Sequence, residues 1–293
     1  TPAPAPVVDA TPAPNNTGAG IIVGVVDTGI DLTHPEFAGR IVTGTCFGGT
    51  TVCSGTAAQG NDNNGHGTHV AGIIAASALG RGVNRGDAGM APGAHLINLR
   101  VLDDQGQGKS ADVVEAIDWA IDHKLEYGIR VINMSLGTAV TQSYKDDPMT
   151  LAVERAVKAG IVVVASAGNR GQTADGKLVL ASVTSPGNSP YAITVGAIRE
   201  NGTADRSDDT LAPWSSRGPT PIGRARPLPR RRRVLVERGF SASRLRPMGD
   251  GRNAPEIDRG VVAISAGEHV QPARSPGRGG RRHGIRALAA RDV

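Results

Sequence analysis

The residues able to do chemistry gather in two short strings. Asn63-Asn64-Gly65-His66-Gly67-Thr68-His69-Val70-Ala71-Gly72 sets a histidine between two glycines at the mouth of an apolar, helix-like run. Upstream, Val25-Val26-Asp27-Thr28-Gly29-Ile30 ends a β-branched run on a carboxylate. A serine hydroxyl is a poor nucleophile at neutral pH. It needs a base within hydrogen-bond reach and a carboxylate that fixes the tautomer of that base and offsets its developing charge. His66 fits the base and Asp27 the carboxylate, and Gly65 and Gly67 leave room for a substrate backbone. Aspartic-protease chemistry expects a second Asp-Thr/Ser-Gly, and the sequence has none. His66 and His69 lack the intervening Glu of a His-Glu-x-x-His zinc site. Taken singly, Asp27 reads as a turn cap and His66 as a polar residue at a helix start; the two strings together favour catalysis, with His69 structural.

The surrounding elements must bring these groups together. Ile21 to Val26 reads as a strand buried on both faces. Val70 to Leu79 follows as a helix, His95 to Leu102 as a strand, and Ser110 to Tyr127 as an amphipathic helix with Ser110 at its N-cap and Gly128 at its end. Ile129 to Met134 is a strand, Thr150 to Lys158 a helix, and Ile161 to Ala165 and Tyr191 to Ile198 two more strands. The alternation predicts an α/β fold of three layers, with a mostly parallel central sheet and helices on both faces. Sites in such sheets lie at the carboxyl ends of strands, where Asp27, Ser135 and Asn169 all fall.

Charge divides the chain. Residues 1–219 carry 15 Lys and Arg against 21 Asp and Glu, whereas residues 220–293 carry 17 Arg, no Lys and 6 acids. The basic run Arg230-Arg231-Arg232-Arg233 has no interleaved aromatic residues and no accompanying motif, which argues against nucleic-acid binding. Nothing approaches the ~20 apolar residues of a membrane span. Residues 1–20 are Pro/Ala-rich and read as a linker or the end of a precursor segment. The chain begins at Thr1, and the expectation is a leader removed or left out, with no signal peptide visible. Cys46 and Cys53 suit neither a zinc site nor a redox pair. A small disulfide in an exported protein is the preferred reading, and two free thiols are the alternative.

The strings together resemble the subtilisin family of serine proteases. Val25 to Asp31, His34-Pro35-Glu36-Phe37 and His66 to Ile74 match in order, followed by Gly89-Met90-Ala91-Pro92-Gly93-Ala94, Val131 to Gly137, Val164-Ala165-Ser166-Ala167-Gly168-Asn169 and Trp214 to Pro219. The Asp…His…Ser order is the one long described for subtilisin itself and follows from the resemblance, not from spacing. The resemblance implies a peptidase domain over 21–219, with Asn169 donating its amide to the oxyanion; read alone, Asn169 is a turn residue. It also implies that Gly106-Gln107-Gly108 and Ser135-Leu136-Gly137, with Ala167 and Gly168, hold an extended peptide. Structural calcium is an expectation of the same kind: Glu36 and Asp62 are possible oxygen ligands, though solvated loop acids are the plainer reading. The chemistry itself requires no cofactor. The expected partner is an extended peptide or protein substrate, with no nucleic acid and no membrane; the expected state is a secreted monomer.

The nucleophilic serine is unknown. The family places it in Gly-Thr-Ser-Met-Ala at a helix start, and no such string occurs; Ser241, Ser243, Ser265 and Ser275 precede no apolar helix. After about Thr220 the helical and strand patterns collapse. Residues 220–293 read as a tail out of frame or disordered, leaving the C-terminal portion of the fold incomplete. The expectation is a serine endopeptidase by family whose chain is inactive as written. The alternative is a non-catalytic peptide-binding pseudoprotease.

Overall fold

The apolar run after Gly20 forms β1 (Ile22–Asp27), the strand on which the molecule is centred. The computed structural model describes residues 17–77, 88–199 and 207–220, together with the backbone of 235–237. The other strands are β2 (Ile41–Cys46), β3 (His95–Arg100), β4 (Ile129–Met134), β5 (Val162–Ser166), β6 (Ile193–Arg199), β7 (Thr210–Leu211) and β8 (Leu235–Glu237). Their order in the sheet is β2-β3-β1-β4-β5-β6-β7, with β8 also on β6. All pairs are parallel except β6–β7.

Period-two alternation divides the strand residues between two cores. Val23 and Val25 of β1 and Leu96 of β3 pack with Val70, Ala71 and Ala75 of α2 (His66–Ala75). On the opposite face Val26, Ile97, Leu99, Ile132 and Val163 meet α3 (Ser110–Asp122) and α5 (Pro148–Lys158). The molecule is thus a three-layer α/β fold with helices on both faces of a mostly parallel sheet.

Local differences from the sequence reading have identifiable causes. Helix α2 starts at His66 rather than Val70, because Gly65 takes a left-handed φ of 98° at its N-cap; the helix ends at Ala75, and Leu79 lies outside the described residues. Lys109, not Ser110, occupies the α3 N-cap in extended geometry, and Ser110 is the first helical residue. The helical run to Tyr127 is broken at His123, leaving a separate turn α4 (Lys124–Tyr127) that closes on left-handed Gly128. Helix α5 begins at Pro148, with the Asp147 side chain accepting from the Met149 N–H at 2.9 Å; the Asp-Pro start signal accounts for the two extra residues.

Strand β2 had no counterpart in the sequence reading. Its Thr- and Gly-containing sequence gives no apolar run, because it is a half-exposed edge strand. It ends at Cys46, which is disulfide-bonded to Cys53 just after α1 (Gly49–Val52). Of the N-terminal segment, Thr17 to Gly20 pack against the turn before β3, where the Gly93 N–H donates to the Thr17 carbonyl. Of the basic tail, β8 is described; the remainder of 221–293, including the candidate serines, lies outside the described residues. Among the described residues no helix is long and apolar enough to cross a membrane.

Candidate active site

Strand parity aims Asp27. It shares the face of Val23 and Val25, the face covered by α2, and His66 is the first residue of that helix. Both side chains are buried, and Asp27 Oδ1 lies 2.5 Å from His66 Nδ1. The same Oδ1 accepts from the Thr28 N–H at 2.7 Å, while Oδ2 is buried without a hydrogen-bond partner among the described residues. Gly67 makes the approach possible: a Cβ there would stand 2.1 Å from the Gly29 carbonyl oxygen and 3.1 Å from the Asp27 Cβ.

Asp62 fastens the two strings to one another. Its Oδ1 accepts from Thr28 Oγ1 and from the N–H groups of Asn64 and Gly65, and its Oδ2 from the N–H and Oγ1 of Thr68, at 2.6–3.0 Å. Thr28 Oγ1 in turn accepts from the Gly67 N–H at 2.8 Å. The reading of Asp62 as a solvated loop acid is therefore wrong: it is 8% exposed and both oxygens are committed. Glu36 is also buried, with Oε2 accepting from Ser77 Oγ at 2.9 Å. Among the described residues no group of three or more His, Cys, Asp or Glu side chains could hold a metal ion.

The sheet register sets the other candidates around Asp27. β1 lies between β3 and β4, so the segments leaving those strands flank its end. On the β3 side Asp103 Oδ1 accepts from the Gln105 and Gln107 N–H groups, each at 2.8 Å, Gly106 takes φ 73°, and Gly108 passes so close to Val101 that a Cβ would stand 2.4 Å from its carbonyl oxygen. On the β4 side Val26 pairs with Met134, which pairs with Ala165 of β5. Ser135 Oγ accepts from Asn133 Nδ2 at 3.0 Å, and Ser166 Oγ donates to the Leu136 carbonyl at 3.1 Å. Gly137 is close-packed too, since a Cβ would meet Thr184 Oγ1 at 2.6 Å.

Asn169 follows Ala167 and left-handed Gly168 (φ 96°) beyond β5 and is partly exposed. The loop from Trp214 brackets this turn. The Ser216 N–H donates to the Gly168 carbonyl at 2.8 Å, Ser216 Oγ accepts from the Arg170 N–H at 2.9 Å, and the Gly171 N–H donates to the Trp214 carbonyl at 2.9 Å. Ser216, Thr28 and Thr68 carried no separate signal in the sequence, because their role depends on segments that meet only in the fold.

The family profile of the subtilases (peptidase S8) matches residues 18–228. The chain belongs to the subtilase family. It is 42% identical over 217 residues to serine protease AprX of Bacillus subtilis (strain 168), covering 72% of this chain and 46% of that protein. It is 34% identical over 206 residues to subtilisin E of the same organism, covering 68% and 48%. Among solved structures, sphericase superposes with a TM-score of 0.56 at 32% identity, covering 69% of this subtilase and 60% of that chain. A structure titled S41 psychrophilic protease gives 0.55 at 35% identity, with the same coverage. The chain thus spans about half the length of the curated relatives it matches. The family is one of subtilisin-type serine proteases, hydrolases acting on peptide or protein substrates.

Proposed function

We propose that this chain carries the acid–base half of a secreted serine endopeptidase site, with Asp27 as the orienting carboxylate and His66 as the general base. The observation that carries the reading is the buried 2.5 Å contact between Asp27 Oδ1 and His66 Nδ1. A carboxylate can only accept, so the shared proton belongs on Nδ1, and the lone pair of the neutral ring falls on Nε2, the nitrogen that would take a serine proton. Burial strengthens this pairing and keeps water from competing for it. Asn169 is the proposed oxyanion donor, a preplaced amide of the kind whose removal from subtilisin itself costs roughly 100- to 1,000-fold in rate. Gly106-Gln107-Gly108 and Ser135-Leu136-Gly137, with Ala167 and Gly168 beside them, are the proposed walls for an extended peptide, whose backbone would pair with theirs. The Cys46–Cys53 disulfide supports an extracellular site of action.

The nucleophile is the role the sequence does not assign, since it holds no Gly-Thr-Ser-Met-Ala string. On that ground the chain as written is proposed to bind peptides without turnover. A fluorophosphonate probe tests this directly. No labelling is expected; stoichiometric labelling of a serine would overturn the inactive reading while leaving the reaction class intact. Calorimetric titration with an extended peptide tests the cleft separately. Selective affinity with no labelling favours the peptide-binding pseudoprotease as the working state of this chain.

A further inference from the structure

We infer that Arg100, acting with Asp104, is a positioning residue that locks the segment Gly106–Gly108 to the turns holding Asp27 and His66. The inference rests on the site reading above. Arg100 is the last residue of β3, fully buried, on the same sheet face as Leu96 and Asn98. A guanidinium stays charged, and burying it is costly unless its donors are satisfied. Here they are shared among four segments. Nη1 donates to the Thr28 carbonyl at 2.7 Å, beside Asp27, and to the Asn61 carbonyl at 2.5 Å, in the loop entering α2. Nε donates to the Val52 carbonyl at 3.2 Å, inside the disulfide loop, and Nη2 to Asp104 Oδ1 at 2.6 Å.

Asp104 carries the connection onward. Its Oδ2 accepts from Asn63 Nδ2 at 3.3 Å and its backbone carbonyl from Asn64 Nδ2 at 3.0 Å. Asn64 Oδ1 in turn accepts from the His66 N–H at 3.2 Å. The turn that begins Gly106–Gly108 is therefore bonded, through the Asp104 backbone carbonyl and one asparagine, to the backbone of the proposed base, while the Asp104 carboxylate ties that turn to Arg100 and Asn63. Displacement of that segment by a docking peptide moves Asp104, and Asp104 moves Asn64. A lysine cannot replace the arginine, because a point charge with three donors does not span three carbonyls and a carboxylate in fork geometry.

The test uses the full chain, 15N-labelled, with acetyl-tetra-alanine amide as the peptide. The readouts are the His66 Nδ1–H resonance, peptide affinity and the thermal midpoint. Asp104 is half-exposed, so Asp104→Asn is expected to melt within about 3 °C of the parent. It is expected to bind the peptide about 5- to 10-fold more weakly and to lose the shift of the His66 proton that peptide produces in the parent. Arg100→Lys is expected to do the same more strongly. Asp118→Asn, in a surface ion pair with Arg155, is the control and changes neither readout. Parent-like affinity and resonance in folded Asp104→Asn would overturn the inference, whether or not Arg100→Lys folds. If the parent binds no peptide, the site reading fails, and the resonance of the free protein decides alone: unchanged in Asp104→Asn, it overturns the positioning role; moved, it supports it.

Discussion

Asp62 concentrates more of the local geometry than either member of the Asp27–His66 pair. Five donors converge on one buried carboxylate, and truncation strands all of them at once. An unsatisfied buried donor costs roughly 1–3 kcal/mol, and relaxation recovers part of the sum. Asp62→Ala is expected to lose on the order of 3–5 kcal/mol in urea denaturation; a loss below ~1 kcal/mol would refute the role given to it. His69 gives the site an acid limit. Its ring is partly exposed but its Nε2 is sealed without a partner, and burial, then the neighbouring His66 charge, push its pKa down to about 4 against the opposing pull of Asp27. The folded state therefore disfavours the proton that the unfolded chain takes up below about 6.5. Stability is full above pH 6.5 and falls as pH drops toward 4, by up to roughly 3 kcal/mol. Denaturation midpoints against pH, with His69→Gln as the flattened comparison, measure this.

At the scale of elements, the join between β1 and α2 tolerates no extra atom. Gly67→Ala would drive a Cβ into the Gly29 carbonyl, with backbone on both sides of the clash. A loss of about 3 kcal/mol or failure to fold is expected from overpacking of this kind, and a melt of the purified variant checks it. The Cys46–Cys53 disulfide closes a short loop at the edge of the sheet. Its reduction is expected to cost ~2.5 kcal/mol by chain entropy, read as a lower urea midpoint under dithiothreitol. The parts legible in the sequence are those written locally. β4 matches its apolar run from Ile129 to Met134, and Asp27 and His66 announce themselves through their own neighbours. Asp62 and Arg100 do not, because their meaning lies in partners far along the chain, Thr28 for one and Thr28, Asn61 and Val52 for the other. Edge strand β2 was invisible for a related reason: solvent accepts its polar face, so no apolar pattern marks it.

At the scale of the whole molecule, the elements among the described residues cover the two sheet faces unequally. Helices α3 and α5 pack over one face, where α5 reaches β5. On the other, α2 packs chiefly on β1 and β3. Val162, on a strand with neighbours to both sides, is 46% exposed there. Apolar surface in the middle of a sheet binds hydrophobic dyes and other chains. Strong enhancement of anilinonaphthalene sulfonate fluorescence under native conditions is expected, reduced by Val162→Thr; a dye-silent native protein would count against it.

The position of β1 also governs when the site can come into being. Ile22 pairs with both His95 and Ile129, so β1 is clamped by strands synthesised long after it. Pairings so distant in sequence are slow, because loop closure must precede any reward from the contact. During synthesis Asp27 therefore emerges before the strands that flank it and is expected to stay unfixed until β4 has left the ribosome. The carboxylate and the imidazole precede β3 and β4 in the sequence yet depend on them for their setting, so assembly of the sheet, and not of helix α2 alone, is expected to time their pairing.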